Sequence, residues 1–266
     1  MPPKSKTAST AHELPVHYVP KSRLLSDRVI LISGANGGLG RATALACAGL
    51  GATVVLLGRN MSKLEAIYDQ IEQAGGPQPA IYPMNLAGAS WGDYGTLADK
   101  LDEAFGRLDG IVHAAAHFKA FTSLEQLPPK EWLESLQVNL TAPYALTAQC
   151  LPLLGGSADA SVVFISDPSA QTPRAYFGAY GVAKYALEGL LKTWSQELEF
   201  KPNLRFNSYD PGPMRTSLRR RGYPQEDMAQ LNTPEIVVPA LLWLLGPDSR
   251  GITGRSFSRN QRASDG

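Results

Sequence analysis

Short apolar segments alternate with longer helical segments along most of the chain, and this alternation constrains the fold more than any other feature. Segments rich in Val, Ile and Leu predict seven strands, at residues 29–33, 53–57, 80–84, 110–114, 161–166, 205–209 and 252–257. Helices are predicted between them at 39–50, 61–74, 93–105, 130–153, 179–200 and 234–245. Near-continuous apolar strands are typical of a parallel sheet covered on both faces. We therefore expect an α/β fold, a single-domain Rossmann-like doubly wound sheet of about seven parallel strands with helices on both faces.

The length and composition favour one domain that binds a small molecule. A chain of 266 residues with 44% hydrophobic residues can form a single full core. We expect the Rossmann domain at 21–257, a flexible N-terminal tail at 1–20 and a C-terminal tail at 258–266. The formal net charge of +1 provides no field that would attract nucleic acid or an anionic membrane.

The cysteines and the apolar segments give expectations about the compartment. Cys47 and Cys150 are far apart and form no Cys-x-x-Cys, so we expect neither a disulfide framework nor a metal site. Residues 1–11 lack the apolar segment of a signal peptide. The apolar run at 237–245 is shorter than the roughly 20 residues that span a bilayer. We expect a cytoplasmic protein without a membrane partner.

A glycine-rich loop follows the first predicted strand. Residues 33–40 read Ser-Gly-Ala-Asn-Gly-Gly-Leu-Gly, and the first predicted helix begins within this segment. Glycines at this point allow a tight turn and a close approach of the backbone to a pyrophosphate, while the helix N-terminus offers free amides. An ordinary turn is the alternative interpretation. The candidate cofactor-binding residues of the loop are Gly34, Asn36, Gly38, Leu39 and Gly40.

The end of the second predicted strand favours NADP (NADPH) over NAD. An NAD site usually places Asp or Glu there against the ribose 2′-hydroxyl, whereas this chain has Gly58 and Arg59. A guanidinium group suits a 2′-phosphate. The alternative is a solvated arginine at the start of a helix.

Tyr180 and Lys184 are four residues apart in a predicted helix, so their side chains share one face. An ammonium beside a phenol favours the phenolate, which would lower the pKa of Tyr180 and allow acid–base chemistry near neutral pH. An exposed lysine lying over an aromatic ring is the alternative. The position of the pair, after the glycine loop and the fifth predicted strand, favours the catalytic interpretation.

With these two motifs, residues 17–257 resemble the short-chain dehydrogenase/reductase family. The similarity is greatest to its YciK-type bacterial oxidoreductases, through His17-Tyr18-x-Pro20-Lys21, the stretch at 57–60 and the segment at 248–250. The resemblance implies that Tyr180 is the proton donor and acceptor and that Lys184 also bonds the nicotinamide ribose. It implies that Asn139 helps to hold a water near Lys184 as part of a proton path. The alternative is that Asn139 is a polar residue that bends the helix.

The resemblance also implies further cofactor contacts. The Pro-Gly turn after the sixth predicted strand is expected to bring Thr216 to the nicotinamide carboxamide. The family's Asn-Asn-Ala-Gly is replaced here by His-Ala-Ala-Ala at 113–116, which predicts an altered fit beside the cofactor. The additional cofactor-binding residues that the resemblance implies are Asn85, Leu86, Ala115, Pro211, Gly212 and Thr216.

Asp167 departs most from the family pattern. It stands thirteen residues before Tyr180, where the family has a serine that bonds the substrate carbonyl oxygen. The strand end could be displaced so that Ser166 supplies the hydroxyl, or burial could keep Asp167 protonated as a donor. Otherwise an ionised carboxylate, which cannot donate a hydrogen bond, would weaken reductase activity or select a cationic substrate.

The function expected from the resemblance is an NADP(H)-dependent oxidoreductase that interconverts a carbonyl and an alcohol. Its partner would be a small carbonyl or alcohol substrate, and pairing through the helices at 130–153 and 179–200 would give a homodimer or homotetramer. An NADP-binding protein with little or no turnover, a cofactor sensor or an assembly component, is the alternative. A sugar-nucleotide epimerase or dehydratase shares the Tyr-x-x-x-Lys pair but adds a larger C-terminal domain, and about 80 residues follow Lys184 here.

Overall fold

The computed structural model describes residues 14–259 and contains one sheet of seven parallel strands. The strand order is β3-β2-β1-β4-β5-β6-β7, so the chain crosses over once, between β3 and β4. This confirms the predicted doubly wound sheet. The strands are β1 Val29–Ser33, β2 Thr53–Gly58, β3 Ala80–Pro83, β4 Gly110–His113, β5 Ala160–Ile165, β6 Leu204–Asp210 and β7 Arg255–Ser258.

Eight α-helices surround the sheet within residues 14–259. They are α1 Gly38–Gly49, α2 Met61–Gln73, α3 Trp91–Phe105, α4 Pro129–Leu136, α5 Ala142–Gly156, α6 Gly178–Glu197, α7 Ser217–Gly222 and α8 Pro234–Leu245. The helices α1, α2 and α8 share one apolar cluster with the sheet, whereas α3, α5 and α6 share another. The two clusters cover opposite faces, because successive side chains of each strand point to opposite sides.

Local sequence accounts for several element boundaries. All five residues of β1 are buried, as expected of a central strand covered on both faces. The Asn60 side chain accepts the Lys63 amide and starts α2, and Ser90 and Asp93 form a capping box that starts α3. Gly106 ends α3 in the left-handed region, at φ 62°.

The main differences from the predicted elements are a divided helix, a later start of the last strand and the short helix α7, Ser217–Gly222, which was not predicted. The helix predicted at 130–153 is two helices, α4 and α5, joined by a π-helical turn at Gln137–Thr141. Asn139 lies in this turn and bonds the Ser135 carbonyl and the β4–α4 loop. The last strand begins at Arg255 rather than residue 252, because Gly254 has a φ of +71° that is incompatible with an extended strand.

Part of the predicted N-terminal tail is attached to the domain. Leu14 and Tyr18 pack against the cluster that contains α1 and α8, and the Tyr18 hydroxyl donates to Asp248 Oδ2 at 2.9 Å. Residues 1–13 and 260–266 of the expected tails lie outside the described residues. No helix in the described part of the chain is long and apolar enough to cross a membrane.

Candidate active site

A cavity of about 720 Å³ opens at the carboxyl edge of the sheet, where the order of the strands reverses. This is where a doubly wound sheet places its ligand. Asn139 lies outside this cavity lining. The sequence-predicted site residues that line it are Gly34, Asn36, Gly38, Leu39, Gly40, Arg59, Asn85, Leu86, Ala115, Ser166, Asp167, Tyr180, Lys184, Pro211, Gly212 and Thr216.

The glycine loop packs too closely to admit side chains. A Cβ added to Gly34, whose φ is +69°, would lie 2.6 Å from Ala115 Cα. At Gly40 it would lie 2.2 Å from the Gly34 carbonyl oxygen. Within residues 14–259, no side chain caps the N-terminus of α1, so its first amides face the cavity without such a partner. The loop therefore forms a bare backbone cradle suited to phosphate groups.

Gly58 and Arg59 form one end of the cavity. A Cβ at Gly58 would lie 2.8 Å from Asn36 Oδ1, so glycine permits the contact between β2 and the glycine loop. Lys63, in the first turn of α2, also lines the cavity. Sequence reasoning considered only Arg59, although a second basic residue at the start of the following helix was a usable signal.

The Pro-Gly turn after β6 closes over the glycine loop. Gly212 has a φ of +72°, and Thr216 accepts the Arg219 amide at 3.2 Å as the N-cap of α7. A Cβ at Gly38 would lie 2.9 Å from the Thr216 methyl carbon. Residues of the two predicted cofactor motifs are therefore in direct contact.

Tyr180 and Lys184 lie together on the first turns of α6, as their spacing predicts. Lys184 is buried, and its Nζ donates to the Ile165 carbonyl oxygen at 2.6 Å. The same Nζ lies 5.6 Å from the centroid of the Tyr180 ring. Burial lowers the pKa of Lys184 to about 8, although Asp167, Glu188 and Asp210 oppose this shift.

The pKa of Tyr180 shifts opposite to the direction that the pairing with Lys184 suggests. Burial, followed by the charges of Asp167 and Asp210, raises it well above 10.0. Desolvation disfavours the phenolate, and two nearby carboxylates repel it. The expected lowering of this pKa by Lys184 is thus outweighed by the surrounding groups.

Asp167 faces Tyr180. The Tyr180 hydroxyl donates to Asp167 Oδ2 at 3.5 Å, and Asp167 Oδ1 accepts the Ser169 amide at 2.8 Å. The second bond caps the single 3₁₀ turn Pro168–Ala170 and fixes the orientation of the carboxyl group. Asp167 therefore occupies the place beside the tyrosine that a substrate-bonding serine was expected to fill.

The hydroxyl of Ser166 is engaged in a buried hydrogen bond, which argues against the displaced-strand alternative. It donates to Glu188 Oε1 at 2.5 Å. Glu188 is buried one turn after Lys184 and also accepts the hydroxyls of Ser208 and Ser256. The Ser166 side chain is consequently part of a buried network that connects the end of β5 with β6 and β7.

Asp210 is a second acid in the cavity, and sequence reasoning missed it. Its Oδ1 accepts the Gly212 amide at 2.9 Å and its Oδ2 accepts the Ser258 hydroxyl at 3.0 Å. Burial raises the pKa of Asp210 above its ordinary value, and the charge of Asp167 acts in the same direction. Its place in the Pro-Gly segment was a signal, since that segment was already predicted to reach the cofactor.

Asn139 holds the β4–α4 loop against the π-helical turn. Its Oδ1 accepts the His117 amide at 3.1 Å, and its Nδ2 donates to the carbonyls of His117 and Ser135, each at 2.8 Å. This matches the helix-bending alternative for Asn139. Its support of a water path stays a prediction.

His117 belongs to a group of charged side chains outside the cavity base. Its Nε2 lies 2.9 Å from Glu131 Oε1, and ligand atoms of His117, Glu131 and Glu134 lie within 4.8 Å of one another. Lys119 and Lys130 lie 3.9 and 3.8 Å from these two glutamates and offset their charge. The arrangement is consistent with a packing role for His117.

Aromatic side chains line the outer part of the cavity. The Phe118 ring lies 5.3 Å from that of Tyr180, and Phe121 contacts Phe177 at 5.0 Å and Tyr223 at 5.1 Å between centroids. Such rings favour a flat or apolar ligand. Phe118 and Phe121 belong to the β4–α4 loop, whereas Phe177 precedes α6 and Tyr223 follows α7, so tertiary packing brings the four rings together.

Comparisons with known proteins agree with this geometry. A family model described as short chain dehydrogenase matches residues 28–227. The oxidoreductase YciK of Escherichia coli strain K12 is 38% identical over 242 residues, covering 91% of this chain and 95% of YciK. The structure of a short chain dehydrogenase from Pseudomonas syringae is 44% identical with a TM-score of 0.89, and it covers 91% of this chain and 98% of that one.

A structure determined with a bound nucleotide is also similar. The short chain dehydrogenase from Escherichia coli CFT073, complexed with NADPH, is 38% identical with a TM-score of 0.88, and it covers 91% of this chain and all of that chain, 100%. The matched family model spans β1, the glycine loop and the Tyr180–Lys184 pair. This chain belongs to the short-chain dehydrogenase family of oxidoreductases.

Proposed function

We propose that this protein is an NADP(H)-dependent oxidoreductase that interconverts a carbonyl and an alcohol by hydride transfer, with Tyr180 as proton donor and acceptor. The observation that carries the proposal is the single cavity that the glycine loop, Tyr180 and Lys184 all line. Hydride transfer requires a nicotinamide and a proton-exchanging group within reach of one substrate atom. The glycine loop offers a place for the dinucleotide, and Tyr180 offers the proton-exchanging group, at the carboxyl edge of the sheet.

The residues of the cavity fit a dinucleotide phosphate. The side-chain-free contacts at Gly34 and Gly40 leave backbone amides to hold the pyrophosphate. Arg59 and Lys63 are positioned for a 2′-phosphate, and an acid that would bond a 2′-hydroxyl is replaced by Gly58. The NADPH complex of the similar Escherichia coli CFT073 protein supports the same cofactor.

Tyr180 and Lys184 carry out the proton transfer. A bound reduced nicotinamide supplies a hydride to the carbonyl carbon. Tyr180 donates its hydroxyl proton to the carbonyl oxygen, and the Lys184 ammonium stabilises the resulting phenolate. Asp167 meets the substrate atom beside Tyr180, since the Ser166 hydroxyl is bonded to Glu188.

Cofactor preference tests the proposal directly. Titration of intrinsic fluorescence should give tighter binding of NADPH than NADH. Arg59→Ala and Lys63→Ala should each weaken NADPH binding roughly 10- to 100-fold, the loss expected for a charged hydrogen bond, with little change for NADH. Lys192→Ala, at an exposed position of α6, is the matched control. Equal affinity of wild type for the two nucleotides would count against the NADP assignment.

A second candidate is an NADP-binding protein with weak or absent turnover. The raised pKa of Tyr180 and the carboxyl group of Asp167 at 3.5 Å favour it, because both oppose transfer of the tyrosine proton. Steady-state assays against ketones and aldehydes would separate the candidates. Tight NADPH binding without turnover in wild type, but with turnover in Asp167→Ser, would favour the second.

We also infer self-association in the cytoplasm. Tyr144 of α5 and Tyr185 of α6 are 41% and 58% exposed, which leaves apolar surface on the helices expected to pair. Light scattering after gel filtration should give a dimer or tetramer, and Tyr185→Glu should shift it towards monomer. An unchanged mass would argue against this surface as the interface.

A further inference from the structure

The lining of the cavity carries more positive than negative side chains. Seven of its described residues are lysines or arginines, against the two acids Asp167 and Asp210. The proposed function uses three of these bases, two for a 2′-phosphate and one for the proton transfer. The bases that it leaves without a role are Lys119, Arg174, Arg219 and Arg221.

Arg219 shows how a side chain of this cavity can hold an anion. Its guanidinium carbon lies 3.5 Å from the centroid of the Tyr223 ring, while its Nε and Nη2 donate to the two carboxylate oxygens of Glu226 at 2.6 and 2.7 Å. The ring covers the face of the guanidinium group, and the edge keeps its donors for a carboxylate. Because Glu226 occupies these donors, Arg219 itself is not free to bind a substrate.

Arg174 repeats part of this arrangement. Its guanidinium carbon lies 6.0 Å from the centroid of the Phe177 ring, and its side chain is exposed. Burial raises the pKa of Asp210, and the positive charge of Arg174 opposes that rise, so the two groups interact. Within residues 14–259, however, Arg174 forms no salt bridge. Arg174 therefore has a ring beside it, as Arg219 has, but no carboxylate bonded to its donors.

Arg221 reaches the same aromatic rings from α7. A Cβ added to the next residue, Gly222, would lie 3.0 Å from Phe118 Cε1 and 3.7 Å from Phe121 Cε2. The Phe121 ring in turn lies 5.0 Å from that of Phe177. Arg221 is exposed and, in the described part of the chain, also forms no salt bridge. Two arginines without a salt-bridged carboxylate thus flank one group of rings.

The two acids determine which end of a substrate can be charged. A carbonyl that reacts with Tyr180 lies beside Asp167, whose Oδ2 is 3.5 Å from the Tyr180 hydroxyl, and a negative group on the substrate would be repelled there. The exposed arginines lie nearer to solvent. Phe118, 5.3 Å from the Tyr180 ring, offers an apolar contact for the part of the substrate in between.

We propose that the preferred substrate is a carbonyl compound that carries a carboxylate or phosphate group on a flat apolar spacer, and that Arg174 and Arg221 bind this anionic group. Planar guanidinium groups bind both kinds of anion through paired N–H donors. The inference rests on the proposed function and specifies its substrate. The carbonyl carbon still accepts the hydride and the carbonyl oxygen still takes the Tyr180 proton, while the anionic group is unchanged by the reaction.

Three aryl methyl ketones test the inference. The ketones 4-acetylbenzoate and 4-acetylphenyl phosphate are anionic, and 4-acetylbenzamide is a neutral ketone of nearly the same shape as the benzoate. Wild type with NADPH should have a kcat/KM at least about tenfold higher for one of the anions than for the amide, because hydrogen bonds between charged groups are the stronger ones. The better anion identifies the group as carboxylate or phosphate. A kcat/KM for the amide that equals or exceeds both anions would overturn the inference.

Variants of the two arginines locate the contact. Arg174→Gln and Arg221→Gln should each lower the ratio of kcat/KM for the better anion to that for the amide by roughly tenfold, mainly through a higher KM for the anion. Arg220→Gln is the matched control, because Arg220 is an exposed arginine of the same helix that does not line the cavity. It removes the same charge and should leave the ratio unchanged. Equal effects of all three variants would show only a general influence of surface charge and would contradict the inference.

Binding provides a readout that does not depend on turnover. The probes 4-isopropylbenzoate, 4-isopropylphenyl phosphate and 4-isopropylbenzamide cannot be reduced. Calorimetry with NADPH present should show that wild type binds an anionic probe more tightly than the amide, and that the double variant Arg174→Gln/Arg221→Gln loses this difference. Equal affinity of wild type for all three probes would overturn the inference.

The outcomes separate the inference from the proposed function. If wild type reduces the neutral ketone as well as it reduces the anions, only the inference fails. If wild type binds NADPH but reduces none of the ketones, the proposed activity fails, and the calorimetry still decides whether the cavity selects an anion. If wild type binds no NADPH, the proposed function and the inference fail together.

Discussion

Asp167 Oδ2 accepts a hydrogen bond of 3.5 Å from the hydroxyl of Tyr180, so an acid and the proposed proton donor are in contact in one cavity. Asp167 follows β5, and Tyr180 lies in the first turn of α6. The contact gives each side chain a measurable influence on the other. It raises the pKa of Tyr180, and it sets the charge that a substrate encounters.

Tyr180→Phe removes the hydroxyl that exchanges a proton with a carbonyl oxygen. We expect ketone reduction to fall roughly 10²- to 10⁴-fold in kcat/KM, while the dissociation constant of NADPH changes little. Tyr176→Phe is the matched control, because Tyr176 lies one turn earlier in sequence and is 63% exposed. Similar losses in the two variants would show that the phenol of Tyr180 has no special role.

Gly40→Ala places a methyl group 2.2 Å from the Gly34 carbonyl oxygen. Because the atom in the way is backbone, we expect a loss of roughly 1–3 kcal/mol in the free energy of unfolding and a large loss of NADPH affinity. Gly49→Ala, at the end of the same helix, meets nothing within 4 Å and should be neutral or slightly stabilising. Urea unfolding and fluorescence titration measure both effects, and equal behaviour of the variants would contradict the prediction.

Glu188→Ala leaves the hydroxyls of Ser166, Ser208 and Ser256 without their shared acceptor. We expect the free energy of unfolding to fall by about 2–4 kcal/mol, because buried donors lose charged hydrogen bonds. Glu197→Ala, at the exposed end of α6, should change it by less than about 0.5 kcal/mol. Equal urea midpoints for wild type and Glu188→Ala would rule out a stabilising role for these hydrogen bonds.

Lys184 gives stability a pH dependence of defined sign. Its folded-state pKa of about 8 lies below the ordinary value of 10.5, so between these values the unfolded chain binds more protons than the folded one. Stability should therefore rise from pH 8 towards 10.5 by an amount on the order of 3 kcal/mol from this group. The difference between wild type and Lys184→Met, measured by urea unfolding at pH 7.5 to 10, isolates the effect. A difference that does not change with pH would exclude a buried, shifted amine.

The same titration should appear in catalysis. The ammonium form of Lys184 stabilises the Tyr180 phenolate, and this form is lost as pH rises through about 8. We expect kcat/KM for ketone reduction to fall above that pH. If kcat/KM stays constant up to pH 10, the charge of Lys184 does not affect the proton transfer.

The sequence predicts well the helices and strands whose limits are marked by local signals. It predicts poorly those whose limits depend on tertiary contacts. The predicted bounds of β1 and α8 match the structure, because apolar runs and Pro234 mark their limits. The division of the helix predicted at 130–153 was missed, since residues on both sides of the π-helical turn favour helix. What bends the chain there is the bonding of Asn139 to His117, across the cavity-side loop.

The candidate site divides in the same way. The glycine loop and the Tyr180–Lys184 pair are continuous motifs, and the sequence alone places them in one cavity. Asp210 and Glu188 carry no such motif. Asp210 comes near Asp167 because Ile165 pairs with Tyr209 in the register between β5 and β6, which local patterns do not encode.

Glu188 has a consequence for how this active site could change over evolution. It accepts hydroxyl groups from Ser208 in β6, Ser256 in β7 and Ser166 after β5, while the cavity acids Asp167 and Asp210 lie just after β5 and at the end of β6. The Glu188 side chain of α6 is thus hydrogen-bonded to residues of three adjacent strand segments. Substitutions at Asp167 or Asp210 could alter the choice of substrate without moving the backbone beneath them, which makes this edge of the sheet a stable platform for new specificities.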